Sequence, residues 1–441
     1  MKKIISIIFV ILLSNCSFDN KTGIWNNNDN TNVKKNNKFK DFETLNVNQK
    51  LFNSIILPSE SLTIKIDPAK TIFKWVDEFY QGSNNFDNFV YKNLNKLSLK
   101  TKKLSRHTTS DKILYEDGNI IFADQKGNII VYSIKNKVVI FKYNFYKKNF
   151  KKLDKKLNLI IEKNIIYIAD NIGYLYAINY KNKKLLWAKN YKIPFRSNLK
   201  ILKNKLILSN QNNLLIFIDK LNGSRLKIIP TEEVVLKNEF INSLAINKNS
   251  LYFLNTYGSL YSININNSQL DWFVNLNHGI DLNISNLFYS KPLVVSKDKL
   301  IIPTLTHLHI LNITNGSRLV KIPINTATKP IVSSNYLFTI SSDNLLICLN
   351  INDGKIIYSI NLDDQIAKFI KSKKKTISVK SLFLVNNNLY LFLNNSYLVK
   401  MNINGKIIGI DKLPIDLKSN PIFINGSILY LNKSNKLIVI N

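Results

Sequence analysis

Histidines and adjacent carboxylates are the residues whose types could support metal binding or acid–base catalysis. His307 and His309 lie two apart on a predicted strand, so both side chains face one side. No third metal ligand follows them nearby, and packed or solvated histidines are the alternative. Glu232-Glu233 and Asp363-Asp364 are neighbours in sequence, and on strands their side chains would point to opposite faces. They therefore lack the shared geometry of paired catalytic carboxylates.

The two cysteines indicate neither a disulfide nor a metal framework. Cys348 lies in an alternating apolar strand pattern and is predicted to be a small buried residue, while Cys16 belongs to the N-terminal leader. The sequence also contains no phosphate-binding loop, no nucleophile-elbow motif and no dinucleotide-binding glycine motif. We therefore expect no enzyme, no cofactor and no metal site.

The N-terminus has the organisation of a bacterial secretion signal. Lys2-Lys3 precedes the apolar stretch Ile4–Leu13, which is shorter than the roughly 20 residues that span a bilayer. The residues ending at Cys16 resemble a lipobox, although Asn15 stands where a small residue is usual. An ordinary signal peptide with an incidental cysteine is the alternative. We predict that Cys16 is lipidated, and Ser17, which is not the aspartate of inner-membrane retention, favours the periplasmic side of the outer membrane.

Composition predicts one large domain behind a tether. The chain has 441 residues, is 45 % hydrophobic and carries a formal net charge of +33. Most of the excess is lysine, accompanied by abundant asparagine and isoleucine, so we attribute it to composition and predict no nucleic-acid partner. Residues 1–16 are predicted to be the lipoprotein signal peptide, 17–65 a disordered Asn/Lys-rich tether and 66–441 the folded domain.

A repeat with a mean period of 44 residues runs through that domain. Each copy has a small or polar turn residue between two short runs of apolar, β-branched and aromatic residues. The eight turn positions are Gly127, Gly173, Asn213, Gly258, Thr306, Asn344, Ser396 and Asn435. Four copies have a second, Asn-Gly or Asp-Gly turn, at Gly223, Gly316, Gly354 and Gly405. Four short strands per repeat of this length are typical of β-propeller blades.

The repeat count predicts an all-β, single eight-bladed β-propeller with four-stranded antiparallel blades, and seven blades is the alternative. The residue fourteen positions after each turn is usually apolar: Phe141, Trp187, Lys227, Trp272, Val320, Tyr358 and Ile410. The eighth repeat ends before this position. We therefore expect an N-terminal strand to close the ring, and Thr71–Trp75 matches the pattern of the missing strand.

Two repeats resemble the pyrroloquinoline-quinone (PQQ)-type propellers. They are Ala169 to Ile178 followed by Leu185 to Trp187, and Asn255 to Ile263 followed by Leu270 to Trp272. Together with the lipoprotein leader, they are most similar to the family of outer-membrane protein assembly factor BamB. The resemblance implies a non-catalytic eight-bladed scaffold without a cofactor, acting as a monomer within the barrel-assembly machinery and binding the periplasmic part of the barrel subunit BamA.

The same resemblance points to a partner-binding loop after Trp187. In the family, apolar residues and an arginine in this loop touch the partner, and Ile193, Phe195 and Arg196 match them here. Packing of Phe195 between blades, with a solvated Arg196, is the alternative. A PQQ-type quinoprotein oxidoreductase relative and a propeller that binds cell-envelope glycan remain the other functional hypotheses.

Overall fold

The computed structural model describes residues 51–146, 150, 152–233, 239–277, 288–371 and 376–441, together with the backbone of 16–18 and 25–27. The chain divides into two units, Met1–Gln49 and Lys50–Asn441. In the first unit, strands Cys16–Phe18 and Trp25–Asn27 pair antiparallel. The predicted signal peptide outside Cys16, most of the predicted tether and the Cys16 side chain lie outside the described residues.

The second unit consists of eight four-stranded blades, which confirms the predicted eight-bladed β-propeller. Blade 1 contains Leu114–Glu116, Asn119–Ala123, Asn128–Ser133 and Val138–Asn144; blade 2 contains Leu157–Glu162, Ile165–Asp170, Tyr174–Asn179 and Lys184–Asn190. Blade 3 contains Lys200–Leu202, Lys205–Ser209, Leu215–Asp219 and Arg225–Ile229; blade 4 contains Ser243–Asn247, Ser250–Leu254, Ser259–Asn264 and Gln269–Asn275. Blade 5 contains Val294–Ser296, Lys299–Pro303, Leu308–Asn312 and Arg318–Ile322; blade 6 contains Ile331–Ser333, Tyr336–Ile340, Leu345–Asn350 and Ile356–Asn361.

Blade 7 contains Val379–Val385, Asn388–Leu393, Tyr397–Asn402 and Ile407–Lys412, and it gains a fifth strand, Asn88–Phe89, parallel to its first. Blade 8 contains Ile422–Ile424, Ser427–Leu431, Leu437–Ile440 and the N-terminal strand Leu97–Lys100. The middle strands of the blades are buried on both faces and form the core, whereas fourth strands are largely exposed.

An N-terminal strand closes the ring as predicted, but it is not Thr71–Trp75. Leu97–Lys100 pairs with the last C-terminal strand, with Leu99 opposite Val439. The ring of Trp75 is instead 3 % exposed and packs inside the ring of blades. The physical reason is burial. A side chain on an outer strand stays partly in water, whereas the large indole ring of Trp75 is stabilised more when it is completely buried on the axis.

A β-bulge between the third and fourth strands recurs in all eight blades. It follows the residue four positions after each predicted turn position, as in Val131, Ala177 and Val439. The closing strand therefore has the irregularity of a genuine fourth strand. In blade 7 the bulge pairs Lys400 with Gly409, so Gly409 rather than Ile410 occupies the position of Trp187.

The predicted turns adopt the left-handed conformation that their residue types favour. Seven of the eight positions have positive φ, from 57° at Asn344 to 108° at Gly173, and Thr306 is the exception. In six of these turns, an Asp, Asn or Ser three residues before the turn accepts backbone N–H groups. In blade 2, Asp170 Oδ1 accepts the N–H groups of Ile172, Gly173 and Tyr174 at 2.7–2.8 Å.

Two tryptophans, Trp187 and Trp272, each connect their blade to the next one. Trp187 donates its Nε1–H to Lys220 O at 3.0 Å and lies against Gly223 of blade 3, where an added methyl group would lie 2.5 Å from the indole ring. Trp272 has the same arrangement with Ile313 O at 2.9 Å. Gly223 is therefore required both by its φ of 72° and by the approach of the indole.

The N-terminal segment 70–92 fills the axis of the ring, and we call it the channel plug. Its backbone or side chains contact blade after blade in order: Trp75 with Tyr115, Asp77 with Ile160, Gly82 with Ile246, Ser83 with Val295, Asn85 with Val332, Phe89 with Val385 and Tyr91 with Gly426. Blade 3 is reached through Lys200, which binds Asp77 and Asn84. One segment thereby ties all eight blades together.

The last part of the predicted tether, residues 52–64, contacts the blades. Phe52 N donates to Pro323 O at 2.7 Å, Ile56 forms a bridge with Ser359, and Ile64 is 9 % exposed. The apolar residues of this Asn/Lys-rich stretch lie beside blades 5 and 6, and composition alone does not predict these contacts.

Among the described residues, one α-helix accompanies the blades. It spans Leu362–Phe369 between blades 6 and 7, and the side chain of Asn361 accepts the N–H of Asp364 at its N-terminus. Within the same part of the chain, no helix has the length and hydropathy needed to cross a membrane.

Candidate interaction face and channel

The start of each blade's first strand and the turn after its second strand lie at one end of the blade, which defines a face that we call the entry face. The predicted partner loop lies here, between blades 2 and 3. Phe195 N donates to Asp170 O and Arg196 N to Ser209 O, both at 3.0 Å, and these acceptors end second strands. The loop backbone is therefore held rigidly at the rim of the ring.

Phe195 does not reach the surface of this face. Its side chain is 2 % exposed, lies 5.6 Å from the ring of Tyr191 and belongs to the core that includes Trp187. The alternative interpretation, packing between blades, is thus the one that the structure shows for Phe195. In this conformation Phe195 supports the loop and offers no ring to a partner.

Ile193 and Arg196 remain partly exposed, and the structure adds a neighbour that sequence reasoning missed. Asn242 N donates to Arg196 O at 2.7 Å, which places Ile241 beside the loop with 61 % of its surface exposed. The Arg196 Nε is buried and has no hydrogen-bond acceptor among the described residues. Ile241 follows a stretch without repeat signal, so only the fold could bring it to Arg196.

Two of the four carboxylates considered for catalysis, Glu232 and Asp363, accept hydrogen bonds that hold loops between blades. Glu232 accepts hydrogen bonds from Tyr261 at 2.6 Å, Ser259 at 2.7 Å and Asn255 at 2.9 Å. Burial alone would raise the pKa of Glu232, but these hydrogen bonds outweigh it and hold that pKa below its usual value. Asp363 accepts the N–H of Ile377 at 2.8 Å. Each group fixes a loop between blades.

The histidines and the internal cysteine that were considered as metal ligands do not come together among the described residues. The rings of His307 and His309 lie 5.8 Å apart, and no group of three or more His, Cys, Asp or Glu residues suited to a metal occurs in the part of the chain described. Cys348 is fully buried, and burial raises the pKa of its thiol. His278 lies outside the described residues.

A buried ion pair fixes the channel plug. Lys200 Nζ lies 2.6 Å from Asp77 Oδ2, with the two side chains 1 % and 5 % exposed, and it also donates to Asn84 Oδ1 at 2.6 Å and to Gln81 O at 3.1 Å. Burial lowers the pKa of Lys200, and the charge of Asp77 opposes that effect. This ion pair anchors the plug to blade 3.

A cavity of about 220 Å³ remains on the axis, between the plug and the starts of several first strands. Trp75, Glu78, Phe79 and Phe86 of the plug line it from one side. The surrounding blades contribute four lysines, Lys112, Lys291, Lys329 and Lys380. The axis of the molecule therefore ends in a small, basic cavity.

Together these features define an eight-bladed β-propeller with a filled channel and a rigid loop on its entry face. Residues 147–360, just under half of the chain, match the family model described as outer membrane protein assembly factor BamB. Over these residues the chain is similar to this family of PQQ-like β-propellers. No curated protein matches the sequence.

Solved structures of known proteins share this fold at low sequence identity. BamB from Moraxella catarrhalis matches with a TM-score of 0.61 and 13 % identity over 78 % of this chain and 99 % of that one. The quinohemoprotein alcohol dehydrogenase of Comamonas testosteroni matches with a TM-score of 0.60 and 9 % identity, over 83 % and 80 % of the two chains. The computationally designed Ika8 protein matches with a TM-score of 0.59 and 12 % identity, over 78 % and 99 %. At these identities the likeness concerns the fold.

The name of the family implies a quinone cofactor, so we examined whether the channel fits one. The plug occupies the axis with a tight aromatic cluster; for example, Phe86 stacks on Phe383 of blade 7 at 4.9 Å. The remaining 220 Å³ is smaller than the roughly 300–1,000 Å³ of most small-molecule sites. The cavity on the axis is therefore too small for that group.

Proposed function

We propose that this protein is a non-catalytic scaffold lipoprotein of the machinery that assembles β-barrels in the outer membrane. It binds the periplasmic part of a BamA-like barrel-assembly subunit and positions it. The observation that carries this proposal is the match of residues 147–360 to the BamB family model, because that range contains the loop at Ile193–Arg196.

The geometry of the loop supports a protein contact. Ile193, Arg196 and Ile241 form a partly exposed patch that combines apolar side chains with an arginine, a common composition of interface hot spots. The patch rests on the buried ring of Phe195 and on backbone hydrogen bonds to two blades, so little conformational freedom is lost on binding.

Binding of the purified protein to the periplasmic domains of its own barrel-assembly subunit tests the proposal. We expect Ile193→Glu with Arg196→Glu to weaken binding by at least about thirtyfold, as loss of a hot spot does. Leu221→Glu with Arg318→Glu is the matched control, because it makes the same charge change at exposed residues away from the loop. Equal binding by both variants would refute the assignment of the loop, and no binding by the parent protein would refute the partner.

The proposed location, on the periplasmic side of the outer membrane, rests on lipidation of Cys16. We expect metabolic labelling with palmitate to mark the protein and Cys16→Ser to abolish the label. Cys348→Ser is the matched control, because Cys348 is buried in blade 6 and should leave labelling unchanged. Label that persists in Cys16→Ser would refute the anchor.

A further inference from the structure

The cavity on the axis of the ring combines positive charge with an apolar floor, and we call it the lysine funnel. Its rim is formed where first strands begin in blades 1, 5, 6, 7 and 8. Its floor is the channel plug, so it opens only away from the plug. The funnel shares the entry face with the Ile193–Arg196 loop, because both lie at the starts of first strands.

The positive charge of the lysine funnel is only partly neutralised by the protein. Glu78 lies in the floor, but its carboxylate already accepts from Lys112 and from Leu159 N, and its side chain is 3 % exposed. Lys380 Nζ lies 3.9 Å from the exposed carboxylate of Asp111. Lys291 and Lys329 form no salt bridge within the described residues.

Lys329 is held by the channel plug so that its amino group lies at the wall of the funnel. Its ammonium lies 3.4 Å from the centroid of the Phe86 ring and donates to Asn84 O. Burial lowers the pKa of Lys329 well below its usual value, and the nearby ammonium of Lys200 lowers it further. A ligand carboxylate in the funnel would favour the charged form of Lys329 and offset the energetic cost of burying it.

The funnel also has an apolar surface and an unused hydroxyl. Phe79, Phe86 and Pro292 contribute apolar lining. Ser381 is also among the lining residues, and its buried Oγ has no hydrogen-bond partner among the described groups.

We propose that the lysine funnel binds an acidic segment of a protein partner, with one aspartate or glutamate side chain inserted between the lysines and an adjacent apolar side chain against the phenylalanines. The 220 Å³ volume accommodates one or two side chains, so the backbone of the segment stays at the mouth. This site is distinct from the Ile193–Arg196 loop and does not depend on the identity of the partner proposed for it.

Calorimetric titration of the full-length chain with short synthetic peptides tests the inference. The acetylated, amidated peptide Gly-Asp-Phe-Asp-Gly is compared with Gly-Asn-Phe-Asn-Gly, which has the same shape without charge, and with acetate alone. We expect the acidic peptide to bind at least about tenfold more tightly than the amide peptide.

The protein variants separate the funnel from the general positive charge of the chain. Lys291→Gln with Lys380→Gln should weaken acidic-peptide binding by about tenfold or more. Lys181→Gln with Lys248→Gln removes the same charge from exposed sites outside the funnel and should change binding by less than about twofold. Both variants retain Lys329, whose packing on Phe86 contributes to the plug, and their thermal unfolding verifies that each is folded.

Three results would overturn the inference. The amide peptide could bind as tightly as the acidic one, the two variants could lose affinity equally, or acetate could bind as tightly as the peptide. Equal binding of the two peptides would show that the funnel does not recognise charge. Equal losses in the two variants would show that the peptide binds the general positive charge of the surface. Tight binding of acetate would show that the funnel binds small anions and not peptide segments.

Discussion

The buried ion pair between the channel plug and blade 3 yields the sharpest prediction. Asp77→Ala removes the only carboxylate that contacts the Lys200 ammonium among the described residues, and leaves that ammonium with two neutral acceptors. Because the lysine side chain is 1 % exposed, water cannot replace the lost partner. Removal of one member of a buried pair costs about 3–5 kcal/mol.

The loss of stability should appear first in the channel plug, because Asp77 belongs to the plug and most contacts within and between the blades are unchanged. A cost of about 3–5 kcal/mol corresponds to a hundredfold to several-thousandfold larger opening equilibrium. We expect backbone amides of residues 75–89 to exchange with deuterium faster by that factor, as measured by mass spectrometry. Amides in the middle strands of blade 4 provide the internal reference and should change little.

A second variant separates charge from packing. Asp77→Asn with Lys200→Met removes both charges and keeps similar side-chain volumes, so no uncompensated charge is buried, and we expect at least half of the lost protection to return. The reasoning would be refuted if the plug amides of Asp77→Ala exchanged within about threefold of the parent rate. It would also be refuted if they exchanged as fast in the double variant as in Asp77→Ala.

The cost of Asp77→Ala should also depend on pH. Burial lowers the pKa of Lys200, and removal of the opposing Asp77 charge lowers it further. The unfolded chain keeps lysine near its usual pKa of about 10.4, so between the two values the unfolded state binds more protons and stability rises with pH. We therefore expect the variant to lose less stability, relative to the parent, at pH 10 than at pH 7 in thermal unfolding. A loss that does not shrink at pH 10 would contradict this.

Three further changes test the blade geometry by denaturant unfolding. Gly223→Ala should lower the free energy of unfolding by about 2–4 kcal/mol, because the added methyl group contacts Trp187 and the residue has a positive φ. Gly118→Ala is the control: it also has a positive φ but open space around it, and it should cost about 1 kcal/mol. Equal costs would contradict the packing argument. Leu99→Asp should cost about 1–2 kcal/mol because Leu99 packs in the composite blade, and an unchanged midpoint would refute its role in closure. Asn361→Ala should cost about 1 kcal/mol through loss of the helix cap, and no change would show that the cap is dispensable.

Local rules made the fold predictable. A turn residue that tolerates positive φ, flanked by β-branched runs, indicates a hairpin, and eight such signals at a steady spacing indicate eight blades. Gly173 indicated a turn, and its positive φ in the structure confirms it. The bulge four residues after each turn could not be predicted, because bulges depend on pairing with another strand.

The candidate site was less predictable than the fold. The loop after Trp187 lies on one face of the ring as expected, but Phe195 is buried and Ile241, from a different loop, takes the exposed apolar position. An apolar residue in a loop can be buried in the core or exposed at an interface, and the residue type does not distinguish the two cases. Which of the two occurs depends on neighbours that are distant in sequence.

The sequence by itself determined the number of blades, their turns and the need for an N-terminal closing strand, because these follow from short-range conformational preference repeated along the chain. Tertiary structure alone decided which N-terminal segment closes the ring and which fills it. Thr71–Trp75 matches the strand pattern that ends in tryptophan, whereas Leu97–Lys100 has no tryptophan. The choice is made by burial, since Trp75 and the Asp77–Lys200 pair are stabilised only on the axis, where all eight blades meet.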